Sequence, residues 1–236
     1  MSAENETRIN EWFVPKFGPT KFRVFIGLLF LPYTGMCVSF VIIGSTLADE
    51  IAWDRVGAIT LIYILALGIS AHIADNLGSK KTKPWGSYFT KIQLLTVMVA
   101  TLAAAYAIGL YYIIFFVPFL AVIAVLEGFF LFMYNYEIAG GLFHNDFWFA
   151  ISWGSLPLLA GYIMQVNSIS VLALTAACLT GFASYVEIRI SRPYKQLKKT
   201  NSNSDRARRL ENGLKAISVG TIIFALSTLA YRIIFS

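Results

Sequence analysis

From Val24 to Leu47 the chain carries no charged side chain, and five later stretches are equally bare or hold a single ionisable group. A helix needs about 20 predominantly apolar residues to cross a hydrocarbon core ~30 Å thick. On that ruler seven spans are expected: Val24–Leu47, Val56–Ile73, Ile92–Ile108, Tyr111–Tyr134, Phe147–Gln165, Ser168–Ile188 and Leu214–Phe235. Composition agrees. Of 236 residues 57% are hydrophobic and 14% charged, whereas a soluble domain has about a quarter of its residues charged. The alternating pattern of an outer-membrane barrel is absent. The fold class expected is an all-α, polytopic transmembrane bundle.

Short breaks separate some spans: the Gly109 region between the third and fourth, and Val166-Asn167 between the fifth and sixth. Both suit antiparallel hairpins. Of the 19 basic residues, all but Arg55 and Arg232 then fall on one side. By the positive-inside rule the N-terminus is cytoplasmic and the C-terminus outside. The net charge of +6 is explained by this topology, so no nucleic-acid partner is expected.

Residues 1–23 read as a cytoplasmic, interfacial segment, because WFVPKFGPTKFR mixes aromatics with basic residues. Residues 24–235 form the transmembrane domain, with a basic cytoplasmic loop over 189–213 whose KKTNSNSDRARR stretch reads as mobile and able to touch anionic lipid. No cleavable signal peptide is expected. Cys37 and Cys178 read as packing residues rather than a disulfide pair.

Ionisable residues inside a bilayer are costly, so each one raises a functional question. His72 and Asp75 close the second span, three residues apart on one helical face. Glu127 lies in the fourth span, with Tyr134 on its face and Asn135 just beyond. It needs a partner or a water-filled cleft. His144, Asn145 and Asp146 precede the fifth span, and Glu187 and Arg189 end the sixth. Plainer readings stand beside these. Asp146 is equally an N-cap, His144 a solvated loop residue, Glu187 and Arg189 snorkelling groups, and Lys80 and Lys81 topology determinants. Pro157 should kink or break the fifth span.

The stretch AHIADNLGSKKTKPWG resembles the first signature of UbiA-type membrane prenyltransferases, N-D-x-x-D-x-x-x-D followed by a basic residue and R-P. The family's Asn falls on Ala71, its three acids on His72, Asp75 and Ser79, and the R-P on Lys83-Pro84. One acid of three is kept. The place of the second acidic signature holds YVEIRISRP, with Glu187 its single acid and Ser191 four residues later. FHNDFWFAISWGSLPLLAGY also has the flavour of distant UbiA-like proteins. The resemblance runs along residues 24–235, although the family usually has nine helices.

The resemblance implies transfer of a prenyl group from an isoprenoid diphosphate at a cytoplasm-facing cavity. It implies Mg2+ held by Asp75 and Glu187, with Lys80, Lys83, Arg189 and Arg192 binding diphosphate. It further implies catalytic roles for His72, Asp75, Glu127, Tyr134 and Asn135, a small lipophilic or aromatic acceptor, and an aromatic wall including Phe129, Phe130 and Phe132. For a prokaryotic source the location is the cytoplasmic membrane. Two other functions stay open: a non-catalytic lipid-binding or scaffold protein that keeps the fold, and a small transporter with Glu127 and Asp75 as cation sites.

Overall fold

The computed structural model describes residues 8–79, 85, 88–200 and 204–235, and Lys80, Lys81 and Lys83 lie outside them. The described residues form helices and turns, with no strand among them. Six helical segments are long and apolar enough to cross a membrane. They are Thr20–Thr46 (α1, Thr20–Leu28, and α2, Leu31–Thr46), α3 (Trp53–Gly78), α4 (Lys91–Phe115), α6 (Asp146–Val166), α7 (Val171–Thr200) and α8 (Ser204–Phe235). A seventh apolar helix, α5 (Leu120–Asn135), has 16 residues. That is about 24 Å at ~1.5 Å per residue, short of a full crossing.

Three expectations about boundaries need correction. The break expected at Gly109 is not there, since α4 continues to Phe115. Chain reversal comes at Pro118, which has no N–H to donate and disfavours helix in the residue before it. The loop expected over 189–213 is helical on both sides of residues 201–203. Its Arg, Lys, Leu, Gln and Glu are good helix formers; Lys198 of α7 reaches Glu211 of α8 at 3.5 Å, and Lys215 holds the same acid within α8 at 2.7 Å. Finally, the first span is two helices. Phe30 sits in the left-handed region (φ 43°, ψ 57°) between α1 and α2, with Pro32 in the first turn beyond.

The centre of the bundle is α6. In its apolar window 67% of residues are buried, against 11% in α4 and in α8, which face outward. Small residues permit that central packing. A Cβ on Gly44 of α2 would collide with the Leu158 carbonyl oxygen of α6, and one on Gly161 of α6 with the Val41 carbonyl oxygen of α2. Close backbone approach through small residues is how helices associate where lipid offers no hydrophobic gradient.

Pro157 does not break α6. The helix widens into a π-helical turn over Ile151–Ser155 instead, and neighbours on α7 satisfy the loosened backbone. Thr180 Oγ1 donates to the Gly154 carbonyl at 3.0 Å, and Ser155 Oγ donates back to the Ala177 carbonyl at 2.9 Å. A second π-helical segment, Ile64–Ala71, interrupts α3 directly before His72.

Candidate functional site

A pair of rings links the regions of the two widened turns. His72 follows one and Trp153 lies in the other, with their rings 4.9 Å apart. On its other side the imidazole stacks on Phe30 at 5.5 Å, and its Nε2 is 3.2 Å from Thr34 Oγ1. The left-handed Phe30 is the hub of this region. Its ring also meets Phe13, Tyr33 and Trp85. A bulky residue in that backbone region costs about 1–3 kcal/mol and persists only where surroundings hold it. Here aromatic rings and the Thr34 Oγ1 bond to the Leu29 carbonyl, 2.6 Å long, do so.

Charge gathers against this aromatic wall. Asp75 lies one turn beyond His72, in electrostatic range of Lys195, His144, Arg8 and Glu137. Its carboxylate takes no hydrogen bond among the described residues. Glu187 on α7 is 2% exposed, faces Tyr33 and Lys195, and likewise lacks a hydrogen bond among the described residues. Lys195, two turns beyond Glu187, lies in electrostatic range of Asp75, Glu187 and Glu11, with Arg8 as a second cation nearby. Its Nζ stands 5.3 Å from the Phe30 ring and 5.6 Å from that of Tyr33. Arg8 lies over Phe30 at 4.5 Å and Trp85 at 5.5 Å while holding Glu11.

A second layer comes from the end of α5. A Cβ on Gly78 would strike the Asn135 carbonyl oxygen, so the end of α3 can lie directly on α5. The Tyr134 side chain points among Arg192, Asp75 and Asp146, and its ring lies 4.4 Å from His144. His144 is therefore packed rather than solvated, with Nδ1 2.9 Å from the Tyr134 carbonyl. Asn135 donates to the Leu131 carbonyl of its own helix at 2.8 Å.

Asp146 does not cap α6. Asn145 does, accepting from the Phe147 and Trp148 N–H groups at 3.1 Å each. Asp146 instead binds Arg192 at 2.6 Å and stands 3.8 Å from the more exposed Arg189.

Glu127 is elsewhere. Tyr63 Oη donates to its Oε1 at 2.9 Å, and its other surroundings are a largely aliphatic cleft between α3, α4 and α5. Tyr63 precedes His72 and Asp75 on α3 by nine and twelve residues. At ~1.5 Å per residue that separates the two places by about 14–18 Å along the helix. The structure thus brings His72, Asp75, Tyr134, Glu187 and Arg192 together, with Arg189 at the rim, and leaves Glu127 out. Phe130 packs near Trp148 and Phe143 instead, while Phe129 and Phe132 are exposed.

The sequence reading missed Arg8, Phe30, Tyr33, Trp153 and Lys195. One signal was available, because Glu187, Ser191 and Lys195 recur every four residues and so share a helix face. Ending the span at Ile188 hid it.

Among the described residues no three His, Cys, Asp or Glu side chains are placed to hold a metal ion. Asp75 and Glu187 fit at most a single ion, since magnesium is commonly held by one or two carboxylates plus phosphate oxygens.

Together, fold and site define an all-helical, multi-pass membrane protein with a charged, aromatic-walled cluster at one end of its bundle. No family model, curated protein or solved structure matches this chain.

Proposed function

We propose that the protein is a divergent UbiA-like prenyltransferase that binds an isoprenoid diphosphate at this cluster, which faces the cytoplasm. The N-terminus is then cytoplasmic and, with α5 counted as a seventh pass, the C-terminus is outside. The observation that carries the reading is the position of Lys195 against the Phe30 and Tyr33 rings, in electrostatic range of two carboxylates that take no hydrogen bond among the described residues, with Trp153 beside His72. A diphosphate needs cations, and an allylic cation needs aromatic faces whose quadrupole attracts positive charge. Both are within one cluster.

Lys195, Arg8 and Arg192 would meet the phosphate oxygens, with Arg189 contributing from the rim and Lys80 and Lys83 as further diphosphate-binding cations. The C–O bond to the leaving diphosphate breaks as charge develops on the allylic carbon. A lipophilic or aromatic acceptor then forms the new bond and passes its proton to His72 or Asp75. Tyr134 would orient the acceptor. Magnesium would screen the diphosphate charge, with Asp75 and Glu187 as its protein ligands.

The test is transfer of a labelled geranylgeranyl group by purified protein in nanodiscs, with magnesium and a membrane lipid extract as acceptor pool. Transfer is expected in the wild type and lost in Asp75→Asn and Lys195→Met. Absence of turnover with isoprenoid lipids still co-purifying would replace this reading with non-catalytic lipid binding. The built-in Lys195 counter-charge favours that second reading, since it offsets part of the carboxylate charge without a metal.

A further inference from the structure

We propose that the cleft around Glu127 is a separate binding site for a membrane alcohol, a molecule with one hydroxyl on an apolar body. The cleft is a groove open on one side, with a cavity volume of about 70 Å³, so it seats the hydroxyl end of such a molecule while the apolar body extends into the surroundings. Its walls come from four helices, and small residues at Ala66, Ala105, Gly109 and Ala124 leave the room. Almost every lining atom is apolar.

Three side chains bring polar atoms to it, and two of them are engaged. Tyr63 Oη donates to Glu127 Oε1 at 2.9 Å, and Tyr106 Oη donates to the Ala124 carbonyl at 3.0 Å. Glu127 Oε2 is left shielded from solvent with no hydrogen-bond partner. A buried polar oxygen without a partner carries a penalty of about 1–3 kcal/mol.

Among the described residues no cation contacts Glu127, so an ion pair is not its solution. A hydroxyl is the group that fits, because it can both donate and accept and therefore serves a carboxyl oxygen in either protonation state. The rest of the ligand must be hydrocarbon to match the walls, and α4, the outward-facing helix, forms one of them. Water alone is a poorer occupant, since a buried water needs two to four polar partners and the almost wholly apolar walls offer few besides Oε2.

Photolabelling tests this with the full-length protein in nanodiscs, using a diazirine-bearing alkanol as probe. Label is expected on peptides carrying Ile62, Ala66, Ala105 or Gly109. 1-Dodecanol should compete with the probe and n-dodecane should not. Glu127→Leu should weaken that competition about tenfold, the loss of one buried hydrogen bond, whereas Glu127→Gln keeps a polar partner and retains it. Gly109→Leu is an independent check. A Cβ there meets only Ile62 Cδ1, at 3.9 Å, so the larger side chain fills the cleft and should abolish labelling without disturbing packing. Equal competition by dodecane, or unchanged competition in Glu127→Leu, overturns the proposal. None of these residues belongs to the Lys195 cluster, so either proposal can fail alone.

Discussion

Glu127 and Glu187 are both carboxylates within apolar helices, yet the structure surrounds them differently. Glu187 shares Lys195 with Asp75, beside Tyr33. Glu127 has one tyrosine hydroxyl and otherwise hydrocarbon. The cause is the side chain two turns further along each helix. Helix α7 places Lys195 eight residues after Glu187, on the same face. Helix α5 places Asn135 eight residues after Glu127, and an amide carries no charge. An acid in a low-dielectric region takes whatever polar partner its neighbours supply. One acid therefore joins a charged cluster, and the other keeps a polar atom for something that arrives from outside.

The contrast breaks most visibly at Lys195. Lys195→Met removes a cation in electrostatic range of both Asp75 and Glu187 and leaves Arg8 in range of Asp75; the less compensated acids should cost about 3 kcal/mol. Thermal unfolding in detergent should show that loss, and Lys195→Met/Glu187→Gln should recover part of it. A double variant no more stable than the single one would mean the two side chains do not interact.

Next in size is the scaffold beneath both regions. Gly161→Val forces a side chain onto the Val41 carbonyl, a backbone atom that cannot rotate away, and should cost about 2–3 kcal/mol. Size-exclusion behaviour and Tm read the effect.

Tyr63→Phe sharpens the comparison from the other side. It removes the one donor to Glu127 and should cost about 1–2 kcal/mol. Combined with Lys195→Met it should be additive within about 0.5 kcal/mol, as independent sites more than ~10 Å apart are. Strong non-additivity would show that the two acids belong to one site after all.

The smallest effect is expected from Asn145→Ala, which removes the α6 cap for about 1 kcal/mol. Asp146 begins the same helix turn, so Asn145→Ala should also loosen the Arg192 pair. Lowered amide protection at Phe147 and Trp148 in hydrogen exchange would report it.

Much of the scaffold could be read before any coordinates. Uncharged runs located the helices, and the Asn167 turn fell where expected because asparagine tolerates the left-handed backbone that stops a helix. Asn167 takes the left-handed conformation that ends α6 (φ 53°). The Gly109 break was misplaced because glycine alone does not stop a helix packed against neighbours, while Pro118 removes a donor wherever it sits. At the site, His72 and Asp75 were legible from their three-residue spacing. Phe30 was not, since nothing in FLPYTG requires a left-handed phenylalanine. Lys195 was hidden by counting it as loop.

The order of polar and apolar residues along the chain determined that this is a bundle of membrane-length helices with its basic residues gathered in a few segments, because desolvating charge is costly enough to act locally. Which acid meets which cation was decided by how the helices pack, through the two widened turns and the Gly44–Gly161 and Gly78–Asn135 approaches. Those are matters of a few ångströms between helices far apart in the chain, and electrostatic partnership in a low dielectric depends on such distances far more than on sequence neighbours.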